Sequence, residues 1–157
     1  MKPVRATASR IMNAPVEQLY KILADYQNGH PLILPRMYFL SLEVEEGGFG
    51  EGTIVRFRMR LLGQTRFFRA QVTEPEPGHI LQESDLASGI VTWFRVSPAD
   101  SHECSEVTIT TEFQATGPGQ AFVVRAMLEK VYRAELDLLA GLAESHRALS
   151  LSAPELS

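Results

Sequence analysis

The sequence predicts an α+β fold in which a strongly twisted, seven-stranded antiparallel sheet wraps around one long C-terminal helix, with one or two short helices after the first strand. Three observations carry this reading. Residues 120–146 form a single helical pattern behind the breaker cluster Thr116-Gly117-Pro118-Gly119. Residues 38–113 are instead patterned with period two. The hairpins in that stretch also fold in registers that put the apolar residues of three consecutive strands on one face.

Val4 to Met12 is rich in small and β-branched residues and stops at Asn13-Ala14-Pro15, so it reads as a strand running into a helix. Asn13 is the candidate N-cap, with Pro15 tolerated in the first turn. The helix then runs from Val16 to about Ala24 and buries Val16, Leu19, Tyr20 and Leu23. A second helical piece fits between Asn28 and Leu34, bracketed by Pro31 and Pro35.

In the next strand Leu40, Leu42 and Val44 alternate with Ser41, Glu43 and Glu45, and the glycine-rich loop Gly47-Gly48-Phe49-Gly50-Glu51-Gly52 turns the chain. Val55, Phe57, Met59 and Leu61 then alternate with Arg56, Arg58 and Arg60, one face core and the other wet. Folding about the glycine loop places Val44 opposite Val55 and Glu43 opposite Arg56. Folding about Leu62-Gly63 places Phe57 opposite Phe68 and Val55 opposite Ala70. Pro75-Glu76-Pro77-Gly78 makes a further turn, and strands follow at residues 79–84, 89–97 and 106–113.

The terminal helix spans about 40 Å at ~1.5 Å per residue, enough to cross a small domain. Ala121, Val124, Leu128, Val131, Leu138 and Leu142 line up on one face, and Glu135 falls among them. It is the only element large enough to cover the concave face of such a sheet, and side chains leave room for a hollow between them.

Composition fits one domain over residues 1–149, with residues 150–157 as a flexible tail. A net charge of −4 argues against a nucleic-acid partner, which calls for a basic face. The single cysteine, Cys104, excludes an internal disulfide and fits a reducing compartment. With no signal-like N-terminus and no apolar run of about 18 residues, the expectation is a cytoplasmic protein without an integral membrane segment.

The order of elements, with Ile11-Met12-Asn13-Ala14-Pro15-Val16 before the first helix, Gly50-Glu51-Gly52-Thr53 at a hairpin, Val72-Thr73-Glu74-Pro75-Glu76-Pro77-Gly78 between strands, and the terminal helix, resembles the START-like superfamily over residues 3–146. This is the Bet v 1-like group of polyketide cyclases/dehydrases and lipid-transport proteins, with the helix-grip fold. The resemblance implies a cavity between sheet and helix that holds an apolar or amphipathic small molecule such as a lipid or polyketide. It implies no reaction, because the superfamily mixes binding proteins, transporters, cyclases and subunits of larger enzymes.

Glu135 is the sharpest candidate for chemistry. A carboxylate on an apolar stripe is costly unless paired, and desolvation raises its pKa toward an acid/base range. The alternative is an ion pair with an inward arginine, Arg10 or Arg66, or a side chain leaning out to solvent. The candidate ligand-binding residues are Phe57, Met59, Phe68, Phe94, Met127, Leu128, Val131 and Glu135. Of the neighbours Trp93 and Phe94, the companions Ile90, Thr92 and Val96 favour Phe94 facing inward.

Arg56, Arg58, Arg60 and Arg69 read as a solvated outer face with cross-strand partners Glu43 and Glu45. The four histidines, His30, His79, His102 and His146, lack metal-ligand spacing, so neither a metal nor a cofactor is expected. His30 falls near the expected cavity mouth. No nucleophile elbow or dinucleotide loop is present. Three function classes follow: a binding protein for a hydrophobic small molecule, a cyclase or dehydratase using Glu135 as acid or base, and a non-catalytic regulatory or assembly module.

Overall fold

The computed structural model describes residues 2–152, with side chains through residue 149. Its elements are β1 (Val4–Met12), α1 (Val16–Ala24), a 3₁₀ turn (His30–Ile33), β2 (Phe39–Glu46), β3 (Ile54–Leu61), β4 (Gln64–Glu76), β5 (Ile80–Asp85), β6 (Val91–Pro98), β7 (Ser105–Phe113) and α2 (Pro118–Ser152). The seven strands form one antiparallel sheet in the order β1-β7-β6-β5-β4-β3-β2. This is the α+β helix-grip architecture expected from the sequence.

The hairpin registers follow the alternation of side chains. Val44 pairs with Val55, Glu43 with Arg56, Phe57 with Phe68 and Val55 with Ala70. A slip of one residue would turn Phe57 and Met59 to water and the arginines inward, so the pattern fixes the register. At the opposite end β1 pairs with β7, with Thr7 on Thr110 at 3.0 Å and Ser9 on Thr108 at 2.8 Å on the outer face. The inner residues of β1 include Ala6 and Ala8, whose small size lets α2 pack closely on that strand.

Two local expectations need correction. Asn13 does not cap α1: the N-cap position is Pro15, extended and without a side-chain hydrogen bond, while Asn13 Oδ1 accepts from Cys104 Sγ at 3.4 Å. The piece expected between Asn28 and Leu34 is a 3₁₀ turn, not an α-helix, since Pro31 and Pro35 leave no room for a longer i to i+4 ladder. Gly29 permits its docking, because a Cβ there would lie 2.5 Å from the Ile22 carbonyl oxygen. The glycine loop is likewise tied to the end of α1, with Gly50 N–H donating to the Ala24 carbonyl at 2.9 Å and Tyr26 N–H to that of Gly48 at 2.9 Å.

The helix α2 is longer than the expected 120–146 and takes in the first residues of the expected tail. Residues 153–157 of that tail lie outside the described residues. The buried stripe also departs from the expected one. Leu138 is exposed, and Leu136, Leu139 and Ala143 are buried in its place. A stripe read every seven residues drifts by about 20° per heptad on a straight helix, so the reading loses phase by the fourth turn. Among the described residues no helix is long and apolar enough to cross a membrane.

Candidate functional site

A cavity of about 820 Å³ lies between the inner sheet face and the first half of α2. Its wall is apolar because period-two alternation delivers one face of each strand to it: Phe57 and Met59 from β3, Phe68 and Ala70 from β4, Phe94 from β6. Phe57 stacks on Phe68 with ring centroids 5.1 Å apart and touches Phe39 at 6.1 Å. From the helix come Val124, Met127 and Leu128. One end, at Leu62, Gln64, Phe67, Ser88 and Gln120, is exposed; the other, at His30, Phe94, Thr111 and Glu135, is buried.

The buried end is polar. The Tyr26 hydroxyl donates to Glu83 Oε1 at 2.7 Å, and His30 Nε2 stands 3.6 Å from the same oxygen. His30 Nδ1 lies 2.7 Å from the Leu23 carbonyl oxygen, which only accepts, so the ring carries its proton there. The ring is stacked on Tyr26 at 4.4 Å and meets Phe94 edge-on at 5.2 Å. Thr111 Oγ1 shares hydrogen bonds with the Tyr132 hydroxyl and with Thr92 Oγ1, the latter at 2.7 Å.

Glu135 lines this end at 2% exposure, and its Oε2 has no hydrogen-bond partner. Neither expected arginine reaches it. Arg10 pairs with Asp137 at 2.5 Å and Arg66 donates to Gln64 at 3.4 Å. Burial pushes the Glu135 carboxyl well above the ordinary carboxylate range, and the nearby Glu83 pushes it further. Burial likewise raises the phenols of Tyr26 and Tyr132 and lowers the His30 imidazole. Burial thus disfavours the charged forms of Glu135, Tyr26, Tyr132 and His30, and leaves Glu135 Oε2 a buried polar atom without a hydrogen-bond partner.

Of the side chains singled out from the sequence, Phe57, Met59, Phe68, Phe94, Met127, Leu128 and Glu135 are brought together on the cavity wall. Val131 is not on it. It shares the helix face of Val124, Leu128 and Glu135 but is fully buried among core side chains. His30 is at the buried end rather than the mouth, because the 3₁₀ turn folds inward beneath α1. Phe94 faces in, while Trp93 Nε1 donates to Gln82 Oε1 at 2.8 Å on the other face.

The arginines form the expected outer network: Arg56 with Glu43 at 2.9 Å and Glu45 at 3.0 Å, and Arg69 with Glu45 at 2.7 Å. Sequence reasoning missed Tyr26, Glu83, Thr92, Thr111 and Tyr132. A usable signal existed for four of them, since Glu83 is in phase with Leu81, Thr92 with Phe94, Thr111 with Ile109 and Phe113, and Tyr132 follows Leu128 by one helical turn. Among the described residues no group of three or more His, Cys, Asp and Glu side chains is arranged to hold a metal ion.

The family model for polyketide cyclase/dehydrase and lipid transport matches residues 3–144. The chain belongs to this family. No curated protein sequence matches it. The solution structure of the KanY protein superposes with a TM-score of 0.80 at 26% identity, covering 92% of this chain and 99% of that one. A START superfamily protein from Mycobacterium smegmatis superposes at 0.71 with 12% identity, over 90% of this chain and 98% of its own. The Zhui aromatase/cyclase from Streptomyces sp. R1128 does so at 0.70 with 19% identity, over 90% and 94%. The last two likenesses are of fold.

Proposed function

We propose that this member of the family binds a hydrophobic or amphipathic small molecule, a lipid, polyketide or similar metabolite, between its sheet and α2. The observation that carries the reading is an apolar hollow of about 820 Å³ that narrows onto an unpartnered carboxyl oxygen of Glu135. Its size is that of small-molecule sites, roughly 300–1,000 Å³, and such sites combine an apolar wall with a few placed polar groups. Family membership supports ligand binding or cyclisation in general terms. An assembly module has no use for a hollow, and the lone Cys104 suits a cytoplasmic setting.

The test is native mass spectrometry of protein purified from its own host. A reproducible small-molecule adduct is the expected result. No adduct, together with no uptake of apolar dyes by the purified chain, would remove the binding reading.

A second reading is favoured by one observation, the burial of the Glu135 carboxyl near Glu83, which raises its pKa. A buried neutral acid is suited to protonate a ligand carbonyl, and the cavity to preorganise a flexible chain, as a cyclase or dehydratase requires. On that reading Glu135→Gln abolishes turnover while the adduct persists. Turnover that survives the substitution excludes Glu135 as the acid.

A further inference from the structure

The polar end of the cavity carries more information than its presence. Two carboxyl groups meet there, Glu135 from α2 and Glu83 from β5, and among the described residues no ammonium or guanidinium group pairs with either. Among the described lining residues the cationic side chains other than His30 reduce to Arg66, which is exposed at the outer end and bonded to Gln64. His30 has committed its Nδ1 proton to the Leu23 carbonyl, and burial disfavours a second proton on Nε2, which stands 3.6 Å from Glu83. The other polar groups at this end are hydroxyls already bonded to one another or to Glu83: Tyr26, Thr92, Thr111 and Tyr132.

Such an end is hostile to an anion. A ligand carboxylate or phosphate entering it would lose its hydration and meet Glu83 and Glu135 with no counter-charge. It is equally incomplete when filled by hydrocarbon, because the orphaned Glu135 oxygen then stays buried and unsatisfied, which is unfavourable. A group that both donates and accepts fits. Resting on the cavity reading above, we propose that the ligand is a neutral, hydroxyl-bearing ring compound that enters polar end first, its hydroxyl seated between Glu135 and Glu83 and its rings against Phe57 and Phe68. The hydroxyl accepts from the Glu135 acid and donates to a carboxyl oxygen. The stacked pair Phe57–Phe68 offers a flat wall to which a ring conforms better than a flexible chain.

Four matched probes separate the possibilities: naphthol, naphthalene, naphthoate and naphthylmethylamine, titrated calorimetrically into the full chain at neutral pH. Naphthol is expected to bind about tenfold tighter than naphthalene, one hydrogen-bonded group's difference, and at least about tenfold tighter than naphthoate. Glu135→Leu, close in size, should erase the naphthol preference while leaving naphthalene binding in place or improved. Glu83→Gln, which keeps an acceptor, should retain most of it.

Naphthoate binding as tightly as naphthol would overturn the inference, as would tightest binding of the amine, which would make the carboxyl pair a cation seat. So would an undiminished preference in Glu135→Leu. Equal affinity for naphthol and naphthalene sinks the hydroxyl seat but leaves the cavity reading standing, whereas no binding of any probe sinks both.

Discussion

The two halves of α2 lie on the same helix and perform different work. From Val124 to Leu128 its inner residues are half-buried or just buried and border a hollow. From Val131 to Ala143 the inner residues Val131, Leu136, Leu139, Ala140 and Ala143 are sealed in solid core against β1, α1 and the 3₁₀ turn. Glu135 stands at the boundary, buried as deeply as the second half yet facing the space of the first. An apolar residue on a helix therefore says that the position is shielded from water, not whether protein or ligand does the shielding. Only the opposing surface decides it: small residues such as Ala6 bring β1 up to the helix, while across from β3, β4 and β6 the cavity intervenes.

The sharpest way to break that contrast is a pair of truncations. Leu139→Ala removes contacts on all sides and should cost about 2–5 kcal/mol of unfolding free energy in urea titration. Leu128→Ala removes a side chain that already borders empty space, so it should cost less, about 1–2 kcal/mol, and widen the cavity. Equal losses at the two sites would mean that the hollow is not there.

The boundary residue supplies a pH signature. Because the native pKa of Glu135 is raised, its contribution to stability is complete below the ordinary value near 4.5 and is lost as pH rises through the raised native value. His30 works the other way: its lowered pKa gives stability that is present above about 6.5 and lost as pH falls. The groups facing Glu135 are Glu83 on β5, Tyr26 and Tyr132, with His30 across Glu83. Glu135→Gln should abolish the alkaline loss and leave the acidic one. Measured as Tm against pH, each kcal/mol recovered appears as about 2–4 °C in a chain of this size. A variant that tracks the parent at every alkaline pH would contradict the assignment.

The smallest effect belongs to the outer sheet face. Arg56 bridges Glu43 and Glu45 in the open, at 59% side-chain exposure, and such pairs are worth about 0–1 kcal/mol and weaken with salt. Arg56→Ala should shift the urea midpoint within that range and leave ligand uptake unchanged. A loss comparable to Leu128→Ala would show that the outer network is more than a solvated surface.

These contrasts also explain what the sequence disclosed. Hairpin registers were legible because a two-residue period leaves one face or the other, and a pair such as Phe57 and Phe68 permits only one answer. The stretch of α2 beyond Glu135 was less legible, since a helical stripe drifts and Leu138 resembles Leu139 in every local respect. Glu135 was visible as a charge on an apolar stripe. Its surroundings were not, because Tyr26 and His30, a turn apart in the segment after α1, reach Glu83 of β5 only when that segment tucks under α1. Val131 shares the helix face of Leu128 and Glu135 yet packs into the core, a difference set by the opposing surface and not by the helical period.

The most direct test of the cavity as a ligand site reads the methionine methyl groups by NMR after selective ¹³C labelling, during titration with naphthol. Met59 and Met127 line the hollow, Met12 is buried elsewhere in the core, and Met37 is on the surface. The account predicts that the Met59 and Met127 signals move together and saturate, while those of Met12 and Met37 stay in place. Shifts at Met37 without shifts at Met59 and Met127 would contradict it, because binding would then be to the outside of the protein.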